Sequence, residues 1–175
     1  MPTKKVVLNY LLFQLGWFAC VLGATNHLPW IASIFVFLVV IAQTHAAPQP
    51  KSEYLLLFVA LIIGGLIDQV LLSNQFVGYQ SNGWSTAIVP VWILALWVSF
   101  ASTLNVSMRW IRDKKMVAFL FGFIGGPLAY MAAEKLDAVQ IGPSIISYLA
   151  LSLFWGFAML ALIELAKQFD GHAYA

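Results

Sequence analysis

Apolar residues run along this chain in six blocks separated by short polar turns. A helix needs about 20 residues to cross hydrocarbon about 30 Å thick. Blocks near that length fall at Val6–Ala24, Leu28–Gln43, Tyr54–Ser73, Ile88–Ser107, Met116–Ala133 and Ser144–Ala166. The pattern predicts six membrane-spanning helices. The second block is short and fits with little tilt or with help from flanking residues. Only Thr25-Asn26-His27 separates the first two blocks, which makes those helices antiparallel neighbours. The expected fold class is all-α: a polytopic six-helix bundle forming a single integral membrane domain over residues 1–175.

Composition strengthens this reading. Of 175 residues, 62% are hydrophobic and 9% charged, against about 25% charged in a soluble domain. Most of the surface must therefore face lipid. The formal net charge of +2 is too small to suggest a nucleic-acid partner. One cysteine, Cys20, excludes an internal disulfide and a cysteine-rich metal site. Neither a metal nor a cofactor is expected.

Charge also gives direction. Lys4 and Lys5 precede the first block, Lys51 lies between the second and third, and Lys167 follows the sixth. Arg109, Arg112, Lys114 and Lys115 lie between the fourth and fifth. With both termini in the cytoplasm, these eight of the nine basic residues are inside and only Lys135 is outside, as the bias of short cytoplasmic loops toward Lys and Arg requires. The first block follows two lysines as a signal peptide would, but Asn9, Gln14, Trp17 and the poor cleavage site Leu22-Gly23-Ala24 favour an uncleaved helix. The sequon Asn105-Val106-Ser107 lies at the cytoplasmic end of the fourth block, out of reach of glycosylation. Trp30 and Trp84 map to the outer interface and Trp110 to the inner one.

Asp68 is the sharpest chemical feature. It lies fourteen residues after Tyr54, about 21 Å along a helix, in the outer half of the bilayer. An ionised carboxylate there costs about 3 kcal/mol or more, and no Lys or Arg shares its depth. The expectation is a neutral carboxyl or one bonded to neutral partners, with Gln69, His27, Tyr130 and Tyr148 as candidates. A proton or ligand site and a structural hub between helices fit it equally. A second polar group, Asn9, Gln14, Thr103, Asn105, Ser107, Arg109 and Glu164, maps toward the cytoplasm. There Arg109 is expected to pair with Glu164. Interhelical hydrogen bonding explains this group best; a lipid-phosphate site rimmed by Arg109, Arg112, Lys114 and Lys115 is the sharper alternative.

Gly125-Gly126-Pro127 is expected to break or kink the fifth helix. Ile63-Gly64-Gly65 resembles Ile124-Gly125-Gly126, and Trp97 and Trp155 follow at similar places. This outlines a repeated hairpin, although glycine pairs are common in membrane helices. The outer loop from Asn74 to Thr86 is uncharged and aromatic, and reads as an interfacial loop, with capping of Asp68 as the alternative.

At these positions the chain resembles the domain-of-unknown-function family 2878, small bacterial inner-membrane proteins. The resemblance rests on Asn9-Tyr10, Gln14 and Trp17, on Gly64 with Asp68, and on Pro90, Trp92, Trp97, Phe100, Thr103-Leu104-Asn105, Ser107 and Trp110. Gly125-Gly126-Pro127-Leu128-Ala129-Tyr130 adds the most specific block. Relatives tend to carry more glycine after that tyrosine, where this chain reads Ala132-Ala133-Glu134 and then Asp137. The resemblance implies a multi-pass protein of the bacterial inner membrane and no established activity. Relatives tend to be encoded near cyclopropane-fatty-acid-synthase-like enzymes, which implies a lipid setting and lipid-modifying enzymes as partners.

The leading functional expectation is a non-enzymatic accessory or binding protein for a lipid or apolar small molecule near Asp68. The alternatives are a small proton-coupled transporter, monomeric or homodimeric, using Asp68, and an intramembrane lipid-modifying enzyme.

Overall fold

The structure, a computed structural model, describes residues 2–173. In chain order it comprises α1 (Thr3–Thr25), α2 (Pro29–His45), α3 (Pro50–Ser73), β1 (Val77–Tyr79), α4 (Val91–Leu104), a 3-10 turn (Arg109–Ile111), α5 (Lys115–Glu134), β2 (Val139–Ile141) and α6 (Ile145–Gln168). Local signals set the boundaries. Pro29 and Pro50 open their helices, where a missing N–H costs nothing. Ser144 caps α6 by accepting the Ile146 amide at 3.2 Å. His27 and Asp137 turn the chain after α1 and α5 with φ of 59° and 58°. α5 is thus helical through Glu134, and the chain then folds sharply into β2.

All six predicted helices are present, but four of them, α1, α3, α5 and α6, are long and apolar enough to cross a membrane. The 17 residues of α2 and 14 of α4 fall short. The fourth helix is the main departure from the expected blocks. It starts after Pro90 and stops at Leu104, with Asn105 as its C-cap. Twelve of its fourteen residues are buried. Protein therefore surrounds the irregular backbone at its ends, which is where such backbone is tolerated at membrane depth. The other helices expose an apolar girdle that includes Leu15, Ile31, Leu38, Leu66, Leu128 and Phe157.

The fifth helix is not broken. It runs continuously through Pro127. Gly126 serves helix packing instead: a Cβ there would lie 2.3 Å from Cγ of Trp155. Gly64 does the same in α3, where a Cβ would lie 2.0 Å from Cδ2 of Trp97. The two indoles stack on each other, 4.3 Å between centroids and 11° from parallel.

β1 and β2 form a small antiparallel ribbon beyond the ends of α3 and α5, in register Val77↔Ile141, Gly78↔Gln140 and Tyr79↔Val139. Alternating hydrophobicity over three residues is too short a signal to announce it. Glu134 accepts the amide of Ile141 at 2.7 Å and ties the ribbon to α5.

Candidate functional site

Asp68 is fully buried, and its partners are neutral donors. Tyr79 and Tyr130 donate their hydroxyls to Oδ1, the former at 2.5 Å, and Trp97 donates its indole N–H to Oδ2 at 2.5 Å. Both carboxyl oxygens act as acceptors. Each donor comes from a different element: β1, α5 and α4. Tyr79 reaches the acid because the ribbon folds back over that end of the bundle, so the loop from Asn74 to Thr86 caps Asp68. Burial pushes the Tyr79 phenol well above its ordinary range, with the Asp68 carboxyl adding to the effect, so Tyr79 keeps its proton and donates.

Of the expected partners only Tyr130 is correct. Gln69, one residue from Asp68, points elsewhere: its oxygen accepts the Val89 amide at 2.9 Å and its nitrogen donates to the Ala87 carbonyl at 2.9 Å. His27 meets the Ser81 hydroxyl at 2.8 Å. Tyr148 packs partly buried against the apolar core. Tyr79 and Trp97 were missed. The available clue was spacing: Gly64 and Asp68, four apart, share one face of α3, so a ring laid on Gly64 also reaches Asp68.

The second polar group is arranged differently from the expectation. Asn9 donates to Gln43 at 3.0 Å and accepts the Ser107 hydroxyl at 2.6 Å. Thr103 bonds back to the Phe100 carbonyl of its own helix at 2.6 Å. Asn105 donates to Glu53 at 2.8 Å and accepts from Arg112 at 2.5 Å. Arg109 does not pair with Glu164. It binds Asp170 through both terminal nitrogens, at 3.1 and 2.7 Å, and Arg112 reaches the same carboxylate at 3.0 Å. Because α4 ends at Leu104, the chain turns and carries Arg109 toward the segment after α6. Glu164 instead meets Lys115 at 3.0 Å near the surface.

Burial opposes the charge on Asp170, but the Arg112 hydrogen bond, the His172 amide and the two guanidinium charges outweigh it and hold the carboxyl below its usual range. Burial and the Lys5 charge push His172 down to about 4, so its neutral ring meets the Lys5 ammonium at 3.3 Å. Gly171 donates its amide to Glu53 at 2.8 Å and completes the clasp. Arg109 and Arg112 are committed to Asp170, Lys115 reaches Glu164 and Lys114 lies over the Trp110 ring at 5.2 Å.

Between these two polar regions lies a cleft of about 380 Å³, within the range of about 300–1,000 Å³ typical of ligand pockets. α1 contributes Phe13, Gln14 and Trp17, α4 contributes Trp92 and Phe100, and α5 contributes Gly122, Gly125 and Ala129. Tyr130, Trp97 and Trp155 form the wall nearest Asp68, which itself does not line the cleft. Phe18 and Phe121, 48% and 44% exposed, also line it. The mouth therefore opens on the apolar flank of the bundle. Gln14 belongs to this cleft and not to the cytoplasmic group. Among the lining residues there is no Lys, Arg, His, Asp or Glu.

No curated protein and no solved structure matches the chain. A family match covers residues 6–161, which contain Asp68, its three donors and the whole cleft but end before Asp170. The chain therefore belongs to the family described as protein of unknown function (DUF2878).

Proposed function

We propose that this chain is a six-helix bundle of a bacterial inner membrane, a single domain with both termini cytoplasmic, that binds an apolar molecule entering its cleft from the bilayer. Sidedness rests on the eight basic residues that fall on one face in this topology. Burial of α4 supports counting it as a sixth element despite its length, since it is wrapped by its neighbours. Labelling single cysteines at positions 51 and 81 in a Cys20→Ser background tests this. Position 51 should react only once the inner face is accessible and position 81 from outside. Reaction of both from one side would overturn the topology.

The laterally open apolar cleft is the observation that carries the binding role. Asp68 favours binding over proton-coupled transport, because it is sealed behind its three donors and does not line the cleft. Apart from the Tyr130 phenol, which is spent on Asp68, the cleft wall carries no acid, base or cysteine for bond-breaking chemistry, which weighs against an intramembrane enzyme. Gly125 offers a clean test: it lines the cleft and a Cβ there meets nothing within 4 Å, so Gly125→Leu grows into the cleft from an unobstructed Cβ. Native mass spectrometry of protein purified in mild detergent should show a bound apolar molecule on the wild type and at least about fivefold less on Gly125→Leu, about 1 kcal/mol of lost binding. Equal occupancy of the two would overturn the binding role.

A further inference from the structure

Resting on that binding role, we infer that the cleft takes a neutral apolar chain bearing a carbonyl or hydroxyl oxygen, and that Gln14 is the residue that recognises this oxygen.

Gln14 stands eleven residues from each end of α1, about 17 Å from either terminus of the helix. Its amide is thus at the middle of a segment long enough to span the membrane. A polar group there costs free energy unless it is hydrogen-bonded. Asn9, Gln69, Trp97 and Tyr130 are spent: Asn9 on Gln43 and Ser107, Gln69 on Val89 and Ala87, Trp97 and Tyr130 on Asp68. Gln14 has no hydrogen-bond partner among the described residues, and it faces the cleft. At the edge of the same cleft the indole N–H of Trp155 is buried and also lacks a partner. The walls therefore carry unspent hydrogen-bonding capacity around an otherwise apolar space.

The type of ligand follows from what the walls offer. An amide both donates and accepts, so it suits a carbonyl or a hydroxyl equally. No cation lines the cleft to stabilise an anion, and the Asp68 carboxyl lies just behind Tyr130 and Trp97. A carboxylate or phosphate would enter low dielectric unpaired. The ligand's oxygen must also lie about halfway across the bilayer, deeper than the headgroup linkages of a resident phospholipid. A whole neutral molecule fits; the tail of a phospholipid does not use Gln14.

The test supplies three probes to the purified protein in vesicles: a long-chain alkane, the same chain with a mid-chain ketone, and the corresponding fatty carboxylate. Bound probe is counted by mass spectrometry for the wild type, Gln14→Leu and Gly125→Leu. The ketone should bind the wild type about tenfold more tightly than the alkane, about 1.4 kcal/mol, and the carboxylate more weakly than either. Gln14→Leu should bring the ketone within about twofold of the alkane while the alkane still binds. Equal binding of ketone and alkane by the wild type, both lost in Gly125→Leu, would overturn the role of Gln14 and leave the binding cleft intact. A ketone preference that survives Gln14→Leu would overturn it as well. Binding of no probe by the wild type would overturn both readings together.

Discussion

The hairpins α3-β1-α4 and α5-β2-α6 are built on one plan and end in opposite states. In each, a glycine lies four residues before a polar group and thirteen before a short strand: Gly64, Asp68 and Val77 in one, Gly126, Tyr130 and Val139 in the other. Each glycine admits a tryptophan from the returning helix, and the two indoles stack. The packing shifts the match between the two glycine pairs by one residue from the one the sequence suggests. The difference lies in the polar group. Asp68 accepts three hydrogen bonds, so the first hairpin is closed around a saturated carboxyl. Tyr130 spends its hydroxyl on Asp68, leaves the Trp155 N–H without a partner and forms part of the cleft wall. A carboxyl at this position organises its surroundings; a phenol there leaves room beside it.

The contrast can be broken most severely at the acid. Asp68→Ala strands two tyrosine hydroxyls and an indole N–H, and each unsatisfied buried group costs about 1–3 kcal/mol. Unfolding of the purified protein in detergent should show a loss of about 3 kcal/mol or more. A loss below about 1 kcal/mol would mean the three donors find other partners, and Asp68 would not be the hub of the first hairpin. The glycines sharpen the comparison further. Gly64→Ala and Gly126→Ala should each cost about 1–3 kcal/mol, because the added methyl overlaps a stacked indole that has nowhere to move. Gly125→Ala should be neutral or stabilising by up to about 1 kcal/mol, since its Cβ meets open space and alanine favours helix. Equal losses at Gly125 and Gly126 would mean the cleft is not the open space described.

The helices were legible because six apolar blocks leave little choice of where polar turns can fall. Their ends were less so. Nothing local distinguishes Leu104 as the last residue of α4, because Asn105 is fixed by Glu53 and by the Phe169 carbonyl, both distant in sequence. That one boundary explains the wrong partner assigned to Arg109. Asp68 stood out from sequence because a carboxyl in hydrocarbon is expensive, and Tyr130 followed from depth. Tyr79 could not follow, since its approach depends on a three-residue ribbon set by tertiary pairing. Gln14 was placed with the cytoplasmic residues although counting from either end of α1 puts it at the centre. A polar residue was grouped by sidedness when its depth carried the information.

The clasp after α6 has a bearing on the order of assembly. Glu53 enters with the third helix, and Arg109 and Arg112 with the turn before the fifth, yet Gly171 and Asp170, their partners, come only after the sixth. Until that segment arrives, a buried acid and two guanidinium groups await their counterparts at that end of the bundle. The final turn then joins the third helix, the turn after the fourth and, through His172 and Lys5, the first helix in a single step. A nascent chain thus carries these unpaired groups until residues 170–172 reach them.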